Sequence, residues 1–133
     1  MFRLKRIIGS RNNAPEFEEH IWNKMELPLI AGCAVKIYGG DYLTPATDYP
    51  EYMLVKTETI TSPGRVKCFK VTPEMIFLVE YLGESAPVIG KRVSIETNEN
   101  LPDSVIDNEE GPGKIVGLTD DPIYVYVQFD RKV

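Results

Sequence analysis

The sequence predicts an all-β fold, a small antiparallel β-barrel or sandwich with an N-terminal arm and at most one short helix. Three observations carry that expectation. Apolar residues alternate with polar ones at period two through most of the chain, the pattern of strands with one buried face. Turn-forming clusters separate these runs at short intervals, as antiparallel barrels and sandwiches require. Ten prolines are spread along the chain, and each would weaken a helix through its missing N–H and fixed φ.

In chain order, residues 1–13 read as an arm and 14–133 as the β-barrel domain. The segment "FRLKRIIGSRNNAPE" begins with Phe2, Leu4 and Ile8 alternating against Arg3 and Lys5, with Arg6 and Ile7 between them. Together with Arg11 these residues form a basic, apolar stretch suited to adding a strand to a partner's sheet. Such an arm would belong to a complex and contribute little to the stability of the isolated domain. The alternative is an ordinary edge strand, since lysine and arginine also guard free edges. "NAPEFEEHIW" is the one expected short helix, with Asn13 as N-cap and Pro15 and Glu16 in its first turn.

Strands follow. "VKIY" turns Val35 and Ile37 inward; "EYMLVK", "RVKCFKV" and "MIFLVEY" come next, the last apolar enough to be buried on both faces. "RVSIE" turns Val93 and Ile95 inward, and "GKIVGL" is expected to pair with the C-terminal "IYVYVQF". In that last strand Ile123, Val125, Val127 and Phe129 share one face, and Tyr124, Tyr126 and Gln128 the other. "YGGD", "TSPG", "LGESAP", "ETNENLPD", "NEEGPG" and "TDDP" read as turns, and 103–110 as a solvated acidic loop. "GCAVKIYGGDYL" and "GKRVSIETNENL" share Gly, Val, Ile and Leu at an offset of 58 residues, as two similar halves of one barrel would.

Charge is distributed unevenly. Residues 1–11 hold four basic side chains and no acid, while the rest hold 11 basic and 20 acidic side chains, a net −9. That body repels phosphate backbones and argues against direct nucleic-acid binding. No apolar run approaches the roughly 18–20 residues of a membrane span, and Arg3, Lys5 and Arg6 interrupt the start too soon for a secretory signal. Synthesis in a cytoplasm is expected, with Cys33 and Cys68 reduced and buried as small apolar side chains.

Catalytic signatures are thin, and no enzyme activity is expected. His20 is the single histidine, so any Ser/His or Cys/His pairing would need it. The two cysteines lie 35 residues apart without a Cys-x-x-Cys motif, so neither a metal site nor a cofactor is expected. Asp103, Asp107, Glu109 and Glu110 do not follow the calcium-loop spacing. Trp22, Tyr38, Tyr42, Tyr124 and Tyr126 are candidate interface aromatics, since tyrosine on strands packs half-buried or meets a partner.

The layout of "GSRNNAPE", "LPLIAGCAVKIYGGDYLTPAT", "GRVKCFKVTPEMIFLVEY", "VIGKRVSIET" and "VYVQF" resembles the small virion proteins of tailed bacteriophages that sit on the capsid as head decoration or stabilisation proteins. The resemblance implies a compact β-barrel on the capsid surface of the virion, made in the host bacterial cytoplasm and bound to the major capsid protein or another virion protein. It also implies a homo-oligomer, with a trimer favoured, whose arm (residues 2–8 here) pairs with the capsid protein. The extra 15–23 stretch and the acidic 103–110 loop depart from the smaller members of that group. A free-standing β-barrel module for a peptide or small ligand is the alternative, and a small hydrolase or isomerase using tyrosines and carboxylates a third reading.

Overall fold

The computed structural model describes residues 1–9, 14–22, 32–38, 42–46, 49–54, 64–98 and 101–130. Among these the chain forms strands and no helix: β1 Arg3–Ile7, β2 Phe17–Trp22, β3 Ala34–Tyr38, β4 Tyr42–Pro45, β5 Tyr52–Leu54, β6 Gly64–Lys70, β7 Met75–Glu80, β8 Arg92–Asn98, β9 Leu101–Asp107, β10 Gly113–Leu118 and β11 Tyr124–Phe129. The all-β expectation holds.

The strands form two units. β2, β4, β3, β5 and β6 close into a small ring, antiparallel except for a short parallel contact between β2 and β4. The other six make an open antiparallel sheet in the order β1-β7-β11-β10-β8-β9. This sheet curls until Tyr81, just past β7, bridges Val105 of β9. Its concave side is the core: Phe77, Val79, Val93, Val105, Ile115, Val125, Val127 and Phe129 are fully buried. Ala34, Met53 and Phe69 of the ring join the same apolar cluster. β6 runs into the start of β7 there, so the ring lies at one pole of the curled sheet. β7, β9 and β10 end, and β8 and β11 begin, at the opposite pole.

Several expectations are corrected. The stretch expected as a helix is strand β2, held to β6 by six successive pairs from Phe17↔Phe69 to Trp22↔Gly64. Phe, Ile and Trp suit a pleated surface, and long-range pairing overrides the local capping signal. The segment expected as an arm is the sheet's edge strand, β1, and Phe2 is 4% exposed. The acidic loop is largely strand β9, with Asp103 buried. Ile123 precedes β11 and is 52% exposed, because its N–H is held by Asp121 Oδ1 at 3.0 Å in the turn. β7 buries one face fully and the other only partly. β10 pairs with β11 as expected.

The repeated segments fall in different units, β3 in the ring and β8 in the sheet, although Gly32 and Gly90 both take positive φ ahead of a buried valine. Both cysteines are free; Cys68 is buried and Cys33 half-buried. Burial pushes the Cys68 thiol up to about 12. Burial, and then the neighbouring Asp103 carboxylate, also raise Cys33. Thiolates are the reactive form, so native protein should label slowly with a thiol reagent and yield two thiols once unfolded without reductant. Finding none after unfolding would mean a disulfide.

Candidate partner interface

The outer face of β1, β7, β11 and β10 carries a groove of about 240 Å³ lined by Lys5, Arg6, Ile76, Val116, Gly117 and Tyr126. Two irregularities build it. The register of β1 against β7 shifts between Leu4 and Arg6, leaving Lys5 as an extra residue. That of β10 against β11 shifts between Ile115 and Gly117, leaving Val116 as another. Such bulges re-aim side chains, and these present a cation and an aliphatic group from opposite sides of the groove. Gly117 provides the floor: a Cβ there would stand 3.0 Å from Tyr126 Cδ2, so glycine lets the ring lie across the strand. The result is an apolar strip flanked by two exposed cations.

The groove depends on how β1 is fastened. Phe2 packs edge-on against Phe77 at 6.0 Å and Phe129 at 5.5 Å between ring centroids. Its N–H donates to Gly32 O at 3.0 Å. The Met1 amine donates to the Asp103 carbonyl, and Asp103 Oδ2 accepts from Ala34 N–H at 2.8 Å. Burial raises the Asp103 carboxyl and lowers the Met1 amine. At the far end of β1 the Ile8 N–H donates to Glu74 O at 2.9 Å.

The residues expected to bind a partner are thus divided. Lys5, Arg6 and Tyr126 meet in the groove, and Arg3 is exposed nearby on β1. Leu4 and Ile7 pack against the core, and Phe2 belongs to it. Ile8 is exposed. Tyr124 is 39% exposed, two residues from Tyr126 on the same face of β11, and does not line the groove. Trp22, Tyr38 and Tyr42 stand on β2, β3 and β4, but their side chains fall outside what is described. Arg11 lies outside the described residues. Ile76, Val116 and Gly117 were missed, because Ile76 sits on the outer half of an alternating strand and the bulge at Val116 leaves no mark in periodicity.

At the far pole a polar network fixes the 82–91 loop. Tyr81 OH donates to Asp107 Oδ1 at 2.5 Å, and Lys91 Nζ donates to Tyr81 OH at 3.2 Å and to Ser85 Oγ at 2.9 Å. Lys91 Nζ also lies 3.0 Å from Asp107 Oδ2. Burial acts against the Asp107 charge, but these bonds prevail and hold its carboxyl below the usual range. His20, on β2, packs at a tilt of 51° against Tyr52, with 4.7 Å between ring centroids, and has Nε2 3.6 Å from Glu18 Oε1.

No protein-family model and no curated protein matches the chain. Among solved structures it is similar to the N base of the head fibre gp8.5 of bacteriophage phi29, with a TM-score of 0.57 and 13% identity over 88% of this chain and 97% of that one. At that identity the likeness is one of fold.

Proposed function

We propose that the chain is a non-enzymatic structural protein of a phage-like particle, one that docks on the capsid surface as a decoration or stabilising protein. The observation that carries this reading is the likeness in fold, across nearly the whole chain, to the base of a phage head fibre. The groove supports it with a surface of the right chemistry. An apolar strip between Lys5 and Arg6 suits an acidic-rimmed protein partner, either the major capsid protein or another virion protein. The acidic body weighs against direct contact with nucleic acid. Assembly as a homo-oligomer, with a trimer favoured, belongs to the same reading.

The alternative, a free-standing module for a small ligand, is less well served. Small-molecule sites typically enclose about 300–1,000 Å³ and are lined mostly by apolar side chains, whereas this groove is open and of about 240 Å³, and the hollow of about 390 Å³ at Lys91, Arg92, Asp107, Asn108 and Glu109 is lined by charged and polar ones. Co-sedimentation with purified capsids tests the proposal. Wild-type protein should pellet with particles, and Lys5→Glu with Arg6→Glu should weaken binding at least about tenfold by reversing both groove charges, whether the groove meets the capsid directly or joins copies that bind it together. Wild-type binding should also weaken with salt, which screens exposed charges. Protein that stays in the supernatant at low salt with every particle tried would sink the reading.

A further inference from the structure

The pole opposite the ring is apolar. Of the eight large apolar side chains exposed among the described residues, six stand there: Leu82, Val88, Ile89, Leu118, Ile123 and Tyr124, between 39% and 60% exposed. Backbone pairing ties the stretches that carry them to neighbouring strands. Tyr124 pairs with Glu80 at the end of β7, Leu118 pairs with Val125, and Gly90 N–H donates to Ile115 O on β10. Six such side chains, each about half exposed, amount to roughly several hundred Å² of apolar surface, the size of the largest patch on a typical monomer, which is often functional. The loop that carries Leu82, Val88 and Ile89 is tied down by Lys91, Ser85, Asp107 and Tyr81, so the patch is presented on a fixed frame. Its rim is acidic, with Glu84, Asp120 and Asp121 all exposed.

The same chain carries the complement. The groove is apolar along Ile76, Val116 and Tyr126 and flanked by the cations Lys5 and Arg6. Its 240 Å³ is room for one or two aliphatic side chains, and Val88 and Ile89, at 60% exposure each, are the most exposed apolar pair on the molecule's described surface. We infer that the occupant of the groove is the apolar pole of a second copy of this chain. Val88 and Ile89 enter the strip, and Glu84, Asp120 and Asp121 face Lys5 and Arg6. Pole-to-pole pairing would instead bring like acids together, which costs free energy. Because the contact joins two different patches, its repetition gives a ring where the rotation closes and an open chain where it does not. This inference rests on the reading of the groove as a protein-docking surface and names its partner.

The test uses the full chain, by size-exclusion chromatography with light scattering over a concentration series. Wild-type protein should self-associate, more weakly as salt rises. A pole variant, Val88→Asp with Ile89→Asp, and a groove variant, Lys5→Glu with Arg6→Glu, should each be monomeric at concentrations where wild type is not. Both pairs are surface residues, and unchanged thermal melts confirm that the variants fold; Ile123→Asp is a second pole variant. Mixed in equal amounts, the two defective chains should form heterodimers and stop there, since each retains one working patch. A wild type that is monomeric throughout, a groove variant that still self-associates, or a mixture that does not combine overturns the inference. A monomeric chain that binds capsids through Lys5 and Arg6 would sink it while sparing the virion reading; association without capsid binding does the reverse.

Discussion

Truncation of residues 1–8 is expected to destabilise the isolated domain severely, and Phe2→Ala alone should lower stability by about 3–5 kcal/mol, the usual range for removing a buried phenylalanine. Phe2 is 4% exposed, between Phe77 and Phe129, which are themselves fully buried. Its removal leaves a hole that two ring edges from different strands would have to fill, and strands held by paired backbones collapse poorly. In a domain of this size each kcal/mol moves the melting temperature by about 3–4 °C, so Phe2→Ala should melt at least about 10 °C lower. Truncation removes more, stripping β1 from β7 and exposing a fresh sheet edge. Arg3→Ala is the contrast. Its side chain is exposed on the same strand, and a surface change of this kind should stay within about 0.5 kcal/mol. Thermal or urea melts of the three variants decide the matter. A Phe2→Ala protein within about 1 kcal/mol of wild type would return the segment to the role of an idle arm.

The N-terminal segment also shows where the sequence stops being legible. Four cations ahead of a "GSRNNAP" spacer look detachable, and nothing local says that one phenylalanine completes a core assembled from β7, β11 and the ring. Burial of that kind is a property of the tertiary arrangement. β2 fails for a related reason: Asn13, Pro15 and Glu16 are sound helix-start residues, but six pairs with β6 outweigh a local signal worth about 1 kcal/mol. Strands whose alternation reflects a buried face, such as Val125–Val127–Phe129 and Val93–Ile95, were legible because hydrophobic burial is written into their own residues. The groove was half legible. Lys5, Arg6 and Tyr126 stood out by chemistry, while Ile76 and Val116 are brought to them by sheet order and by two bulges that leave no periodic trace. The apolar pole was hidden in a segment that turn chemistry alone explains, and the pair Val88–Ile89 in the midst of turn residues was its only mark.

Gly32→Ala should cost far more than Gly90→Ala, although both glycines occupy matching places ahead of β3 and β8. Each has positive φ, +77° at Gly32 and +96° at Gly90, so alanine at either position carries a backbone strain of about 1–2 kcal/mol. At Gly90 that is the whole effect, because a Cβ there would meet nothing within 4 Å. At Gly32 a Cβ would stand 2.6 Å from Phe2 O and 3.0 Å from Phe2 N, and would clash with Met1 Cγ. The methionine side chain can swing aside. The Phe2 backbone cannot, since its N–H is bonded to Gly32 O and its ring is fixed between Phe77 and Phe129. Alanine at 32 must therefore lift the N-terminus off the ring, and the total loss should exceed about 3 kcal/mol, a size reserved for core disruption or special backbone geometry. A double-mutant cycle separates the two contributions. With Phe2→Ala already in place the docking is weakened, and adding Gly32→Ala should then cost little more than Gly90→Ala does. Equal losses for the two glycines in the wild-type background would mean that Phe2 is not seated against Gly32, and the groove that Lys5 and Arg6 border would lose its support from β1.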